Sequence, residues 1–320
     1  MAIPPPRMPD REGVLRAARK ASGLLPSTPL LPLEVDGNTI WCKAECLQPV
    51  GAFKIRGAWH RLTDLSDAER DRGVVGVSSG NHAQGVAWAA RRLGMAATIV
   101  MPADAPRVKL DATRALGAQV VLYDRAGGED RDAVAQRLVT ERGAVLVHAF
   151  ADPWIIEGQG SVAIEIAEQL CEEPDVIVCP CGGGGLTAGL ALACPNTDVI
   201  PVEPEGWDTV GRSLAAGKIV PVGPNPPATP CDSLQPPATH PINLSVLQDR
   251  VRHSATVTPA EVRAAQRLAF GQLRLVLEPG GAAALAAVMA GKVAPGRRTA
   301  VVLSGGNTDP AAFAAVLTKD

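Results

Sequence analysis

Short apolar runs, each closed by a glycine-, serine- or proline-bearing turn and followed by a helical pattern, recur through most of this chain. Strands read at 38–43, 73–78 (GVVGVS), 96–101 (AATIVM), 118–123, 143–148, 175–179 (DVIVC), 198–203 and 299–304 (TAVVLS). Helices read at 10–22, 54–63, 81–93, 106–116, 129–142, 153–171, 259–271 and 280–291, with an Ala-rich one after residue 185. Strands that are apolar throughout, rather than alternating, are covered on both faces, and helical crossovers between them imply parallel pairing. The expected class is α/β, with two doubly wound parallel-sheet domains. A smaller domain at 73–147 is expected to be inserted in a larger one made of 1–72 and 148–320. In such sheets ligands bind beyond the carboxyl ends of the strands, so the residues just after each strand carry the functional information.

Composition narrows the partners. Net charge is −2, from 31 basic and 33 acidic residues, and no Lys/Arg run appears, which argues against a nucleic-acid footprint. No stretch approaches the ~18 continuous apolar residues of a membrane span. The N-terminal MAIPPPRMPDREGV lacks the apolar core of a signal peptide, and seven scattered cysteines are an odd number. A cytoplasmic protein with reduced thiols is the expectation. Residues 217–242 hold eight prolines and are too apolar for a flexible linker. They are expected to form an ordered surface loop near the site.

Four post-strand segments could carry chemistry. CPCGGGGLTAG (179–189) places Gly182, Gly183, Gly184 and Gly185 between a buried strand and a helix. Consecutive glycines let backbone N–H groups converge on an anion at a helix N-terminus. A tight turn with close helix–sheet packing is the plainer alternative. No Lys-Ser/Thr follows, so it is not a Walker A loop. In KAECLQPVGAFKIRGA (43–58), Lys54 stands between Phe53 and Ile55 at a helix start. A lone lysine there can simply snorkel to the surface. Burial and the helix dipole would instead lower its pKa, as a Schiff-base lysine requires. SSGNHAQG (78–85) can nest a carboxylate, or merely cap a helix, and His82 alone reads as a packed or capping histidine. VVLSGGNTDP (301–310) ends a strand on Ser304, where a turn is the default.

Together, in this order and spacing, GAFKIRGA, SSGNHAQG, CGGGG and SGGN resemble the fold-type II pyridoxal-phosphate (PLP) enzymes, whose fold is tryptophan synthase β-like. The nearest likeness is to threonine/serine dehydratases (ammonia-lyases) and serine racemases, from STPLL (27–31) to SGGNTD (304–309). The resemblance implies that Lys54 bonds the cofactor and abstracts the substrate α-proton. Phe53 would pack beside the pyridine ring, and Asn81 would bond its 3′-oxygen. Gly182 to Gly185, with the Leu186 N–H, would cradle the phosphate. Glu278 would lie at the cofactor and Ser304 would face the ring nitrogen. Ser78, Ser79, Gly80, Asn81 and His82 would receive the substrate carboxylate. Arg131 (GEDRDA) matches an arginine near the substrate side chain, and Asp232 (PCDSL) an acid near the β-hydroxyl. Glu203 (VEPE) matches one ligand of a divalent cation site (Mg, Mn or Ca), but Thr209 stands where the second carboxylate belongs, with Asp208 beside it. Val50 and Ala52 replace a Thr and a Ser common in the family.

The implied reaction is elimination of water from a β-hydroxy amino acid, giving a keto acid and ammonia. Ser79 opens an alternative as the acid/base of an amino-acid racemase on the opposite ring face from Lys54. A 3-hydroxyaspartate dehydratase follows if Arg131 reads a second carboxylate. A non-catalytic phosphate-binding module is disfavoured by Lys54. A β-replacement synthase is disfavoured because Ile55-Arg56-Gly57 follows the lysine where Asp-Arg is usual. Cys179 and Cys181 lack the partner pair of a zinc site and read as buried free thiols. A small-molecule amino-acid substrate and a homodimer complete the expectation.

Overall fold

The computed structural model describes residues 7–78, 80–105 and 107–318. Among them ten strands run in chain order: β1 (Leu30–Val35), β2 (Asn38–Lys43), β3 (Val74–Val77), β4 (Ala97–Pro102), β5 (Gln119–Tyr123), β6 (Val145–Val147), β7 (Val176–Pro180), β8 (Asp198–Pro204), β9 (Ala255–Val257) and β10 (Thr299–Val302). They form a six-stranded sheet, ordered β1-β2-β10-β7-β8-β9, and a four-stranded sheet, ordered β5-β4-β3-β6. Every pairing is parallel except β1 with β2. The α/β class with two essentially parallel sheets is thus the observed one.

Burial explains the order. All six residues of β4 and all four of β10 are buried, as central parallel strands with helices on both faces must be. β10 lies between β2 and β7, with Val301 level with Cys42 and Val178. β5, at an edge, is half open. β1 is an edge strand carrying Pro32, which has no N–H to give a further neighbour. That proline is why the alternation in the sequence did not announce this strand. β9 is only three residues long and escaped notice for that reason.

Four helices also lie outside the sequence expectation: Asp67–Arg72, Thr209–Ala216, Pro241–Leu247 and Pro310–Thr318. Asp67–Arg72 (DAERDR) has no buried face, and its start is held by a capping box between Ser66 and Glu69. The helix expected to run to 271 is α-helical only over Pro259–Leu268 and widens to a π-turn at Ala269–Leu273. The proline-rich 217–242 stretch is an irregular loop with one short turn, Asp232–Leu234, and its end starts the helix Pro241–Leu247.

A buried ion network ties this frame together beneath the site. Arg56 forks onto Glu45 through Nε (2.7 Å) and Nη2 (2.8 Å), and onto Glu165 through Nη1 (2.7 Å) and Nη2 (2.8 Å). Lys43 reaches the same Glu165 at 2.8 Å and the Thr28 carbonyl at 2.8 Å. The network joins β2, the turn after it, the helix Lys54–Thr63 and the helix Pro153–Leu170. Two cations and two carboxylates balance, which is the condition under which charge is tolerated inside a protein.

Candidate active site

The helix starts set the electrostatics. Six helices receive a side-chain cap, from Asp10, Ser66, Asp130, Asp152, His240 or Thr258. Four others, beginning at Lys54, Asn81, Gly185 and Pro279, have Phe53, Gly80, Gly184 and Glu278 before them and no side-chain cap bond. The first three of these starts open on one cavity of about 390 Å³, which Glu278, before the fourth, also lines. Uncapped N–H groups and the positive ends of helix dipoles therefore face a common space, which favours bound anions.

The glycine loop is shaped from behind. Gly184 has φ +92°, the left-handed region where glycine carries no steric cost. A Cβ on Gly183 would overlap the Phe150 ring, and one on Gly185 would lie 2.8 Å from the Phe150 carbonyl. The Gly183 carbonyl accepts from Thr239 Oγ1 (3.0 Å) and Asn243 Nδ2 (2.6 Å). In a trans peptide the next N–H points the opposite way. These two side chains thus turn the Gly184 N–H away from themselves.

Lys54 lines the cavity, half-buried by area, yet its amine lies deep in the protein and donates to the Ala149 carbonyl at 2.7 Å. Burial pulls its pKa down to about 8, with Cys181 opposing slightly. At pH 7 roughly a tenth of such amines are neutral, against about one in three thousand at the ordinary lysine value. A neutral amine can add to an aldehyde and can accept a proton.

Opposite stands a polar relay. The Asn81 Nδ2 donates to Glu278 Oε1 at 2.5 Å, and its Oδ1 accepts from Asn307 Nδ2 at 2.8 Å. Burial raises the Glu278 carboxyl to about 7, Asp232 adding to the shift, and its Oε2 has no partner among the described residues. Gly305 packs against this pair, and a Cβ there would overlap the Glu278 carboxylate. Gly305→Ala should cost about 1–3 kcal/mol, the usual effect of overpacking. Urea unfolding of the variant checks this, and an unchanged midpoint would remove Gly305 from the account.

Of the residues singled out in the sequence, Phe53, Lys54, Ser78, Gly80, Asn81, His82, Arg131, Gly182, Gly183, Gly184, Gly185, Leu186, Asp232, Glu278 and Ser304 all line this one cavity. Ser79 lies outside the described residues. His82 is a packed histidine: its Nε2 bonds the Val147 carbonyl at 2.9 Å, and burial lowers its pKa to about 3. Asp232 pairs with Lys109. Arg131 reaches the wall partly exposed, 3.7 Å from Asp132. Cys179 and Cys181 are buried free thiols.

Glu203 stands apart from this cavity. Its two oxygens accept from the Val210 and Gly211 N–H groups at 2.9 and 2.8 Å, capping the helix Thr209–Ala216. Among the described residues no cluster of three or more His, Cys, Asp or Glu could hold a metal ion.

Sequence reading missed Lys109, His148, Phe150, Thr239, Asn243 and Asn307. His148 directly follows β6, so the post-strand rule could have found it, whereas Lys109 lies past β4 inside the helix Arg107–Ala115. His148 was hidden because the strand was drawn to residue 148, whereas β6 stops at Val147. Thr239 and Asn243 act only through the carbonyl they hold, which leaves no sequence signal.

The donor set suits a phosphorylated aldehyde: open N–H groups for a phosphate, a neutral-prone amine for a carbonyl carbon, and Asn81 and Ser304 for ring substituents. No described helix is long and apolar enough to cross a membrane. Comparison with known proteins agrees with the donor set. The family described as "Pyridoxal-phosphate dependent enzyme" matches residues 22–305. An L-threonine ammonia-lyase of Thermotoga maritima is 41% identical over 280 residues, covering 86% of this chain and 69% of the relative. An L-threo-3-hydroxyaspartate ammonia-lyase of a Pseudomonas species is 37% identical, covering 95% and 97%. The structure of maize serine racemase superposes with a TM-score of 0.89 at 33% identity, covering 98% of each chain. The chain therefore belongs to the pyridoxal-phosphate dependent enzymes, in the group that holds the ammonia-lyases and serine racemases.

Proposed function

We propose that this enzyme is an ammonia-lyase that removes water from a β-hydroxy amino acid of the serine/threonine kind, releasing a 2-keto acid and ammonia. The observation that carries the reading is the Lys54 amine: buried, lowered to about 8 and held at 2.7 Å by the Ala149 carbonyl on the cavity wall. The bound cofactor supplies a sink for the electron pair that develops at the substrate α-carbon. Lys54 takes the α-proton as the base. The uncapped start of the helix Gly185–Ala193 holds the phosphate with Gly182 to Gly185 and the Leu186 N–H. Ser78, Gly80, Asn81 and the following helix start receive the substrate carboxylate, which sets the α-hydrogen toward the lysine.

Ser304 offers the ring nitrogen a neutral hydroxyl in place of a carboxylate. A neutral partner leaves the electron sink weak and favours prompt expulsion of a β-leaving group. The Cβ–O bond would break and the hydroxyl would leave as water, with a proton that balances the one Lys54 takes from the α-carbon; the released enamine would then hydrolyse to keto acid and ammonia. Asp232, a cavity-wall carboxylate paired with Lys109, is the acid we assign to the β-hydroxyl. Residues 73–147 would form the small domain, closing on the large one (1–72 and 148–320) when substrate enters.

A second reading rests on the sequence alone, where Ser79 stands before Gly80-Asn81-His82 and the resemblance to serine racemases gives such a serine the role of a second acid/base. A third rests on Arg131, a cavity-wall guanidinium suited to a second carboxylate, as in 3-hydroxyaspartate. One panel separates them: L-serine, L-threonine and 3-hydroxyaspartate, assayed for keto acid and enantiomer composition together. The expected result is keto acid from serine or threonine as the main product. D-serine outrunning keto acid, and lost in Ser79→Ala, would make the enzyme a racemase. Turnover confined to the dicarboxylate would move the substrate.

A further inference from the structure

His148 follows β6 and lines the cavity, but no reacting group has been assigned to it. Its Nδ1 accepts two backbone N–H groups, from Phe150 at 3.2 Å and Ala151 at 2.8 Å. Both bonds need the Nδ1 lone pair, so the neutral ring carries its proton on Nε2. Burial, with His240, Lys54 and Arg131 nearby, lowers its pKa to about 4. A ring whose accepting nitrogen is committed cannot serve as a base.

The peptide between Ala149 and Phe150 gives His148 another role. One end, the Phe150 N–H, is tied to His148. The other end, the Ala149 carbonyl, accepts from Lys54 Nζ at 2.7 Å. A trans peptide is planar, and its N–H and C=O point in opposite directions. Fixing the N–H toward the imidazole therefore aims the carbonyl at the amine. The Phe150 ring meets the His148 ring edge-on at 4.6 Å between centroids and backs the glycine loop at Gly183. One short turn thus links the amine to the phosphate loop.

We propose that His148 is a positioning residue for Lys54: it sets the plane of the Ala149–Phe150 peptide, whose carbonyl holds the lysine amine in place whenever that amine is free. This rests on Lys54 being the lysine that bonds the cofactor. The titratable groups facing Lys54 are His82, His148 and Cys181.

The test is the rate at which cofactor-free protein captures added pyridoxal phosphate, followed by its visible absorbance across pH. Lys54→Ala is the control: capture that survives in it overturns the reading of Lys54, separately from His148. His148→Leu removes the acceptor, whereas His148→Asn keeps one, because Asn accepts from the N–H groups two and three residues on. His148→Leu should lower the plateau rate about tenfold or more, as small misplacements of a reacting group do. Its pH midpoint should fall, because a carbonyl acceptor favours the ammonium form. A site merely loosened to water would move the midpoint up, toward the ordinary lysine value. His148→Asn should recover the plateau to within about threefold. Native capture by folded His148→Leu, or an upward midpoint, overturns the proposal. If His148→Leu does not fold, His148→Asn decides: near-native capture supports the proposal, and a tenfold loss overturns it.

Discussion

Lys54→Ala should abolish keto-acid release, with a fall of at least about 10⁴-fold. That is the upper end of what one positioned acid–base group contributes, and here the same amine would also hold the cofactor. The variant should fold. Among the described residues Lys54 makes one side-chain hydrogen bond, to the Ala149 carbonyl, and burying its amine lowers its pKa, so removing it relieves a cost. Its visible absorbance with added cofactor should be lost together with the rate. The pH dependence follows from the same group. Folding lowers the pKa of Lys54 to about 8, so the reactive neutral amine accumulates as pH rises through 8 rather than through the ordinary lysine range. Cofactor capture by the native protein should rise through that window. A rise centred near 10 would mean that the amine is not buried in the working protein.

Arg56→Met should cost about 3–5 kcal/mol of stability, the usual result of breaking a buried ion pair from one side. Arg56 and Glu45 are buried, and the guanidinium satisfies both oxygens of Glu45 and both of Glu165. A methionine fills much of the volume but, among the described residues, leaves the Glu45 carboxylate hydrogen-bonded to the Thr28 hydroxyl alone, at 2.6 Å. The loss should shrink in acid. Burial pushes Glu165 up, but Arg56 and Lys43 outweigh it and hold the carboxyl below its usual range. A carboxyl lowered by folding stabilises above its unfolded pKa, and that contribution fades as pH falls through the folded value. Much of it disappears with Arg56, so the gap between native protein and variant should narrow as pH falls below the ordinary carboxylate range. Urea midpoints at pH 7 and at about pH 3, below the ordinary carboxylate range, check both statements. An equal gap at the two values would show that packing, not charge, holds this junction.

The two predictions differ in how visible their residues were. Lys54 could be found because local context marks it: an apolar neighbour on each side, a glycine before it, a helix starting on it. The glycine loop and Ser304 were visible for a related reason, since each follows an apolar strand at the end where parallel sheets bind ligands. Arg56 lies two residues from Lys54, but its partners Glu45 and Glu165 are 11 and 109 positions away. Local periodicity carries nothing about charges that meet only after folding. The same limit hid Asn307, which reaches Asn81 across 226 positions. Elements were lost where local rules were broken: a proline inside β1, three residues in β9, a helix opening from the proline-rich loop. Glu203 was visible only as a motif match, and its bonds to the Val210 and Gly211 N–H groups appear only in the folded chain.

The central claim is that Lys54 bonds the cofactor within this cavity. Its most direct test is borohydride reduction of the protein loaded with pyridoxal phosphate, followed by peptide mapping by mass spectrometry. The expected result is one stable pyridoxyl adduct, on the peptide that contains Lys54. An adduct on Lys109 or another lysine, with Lys54 unmodified, would contradict the account.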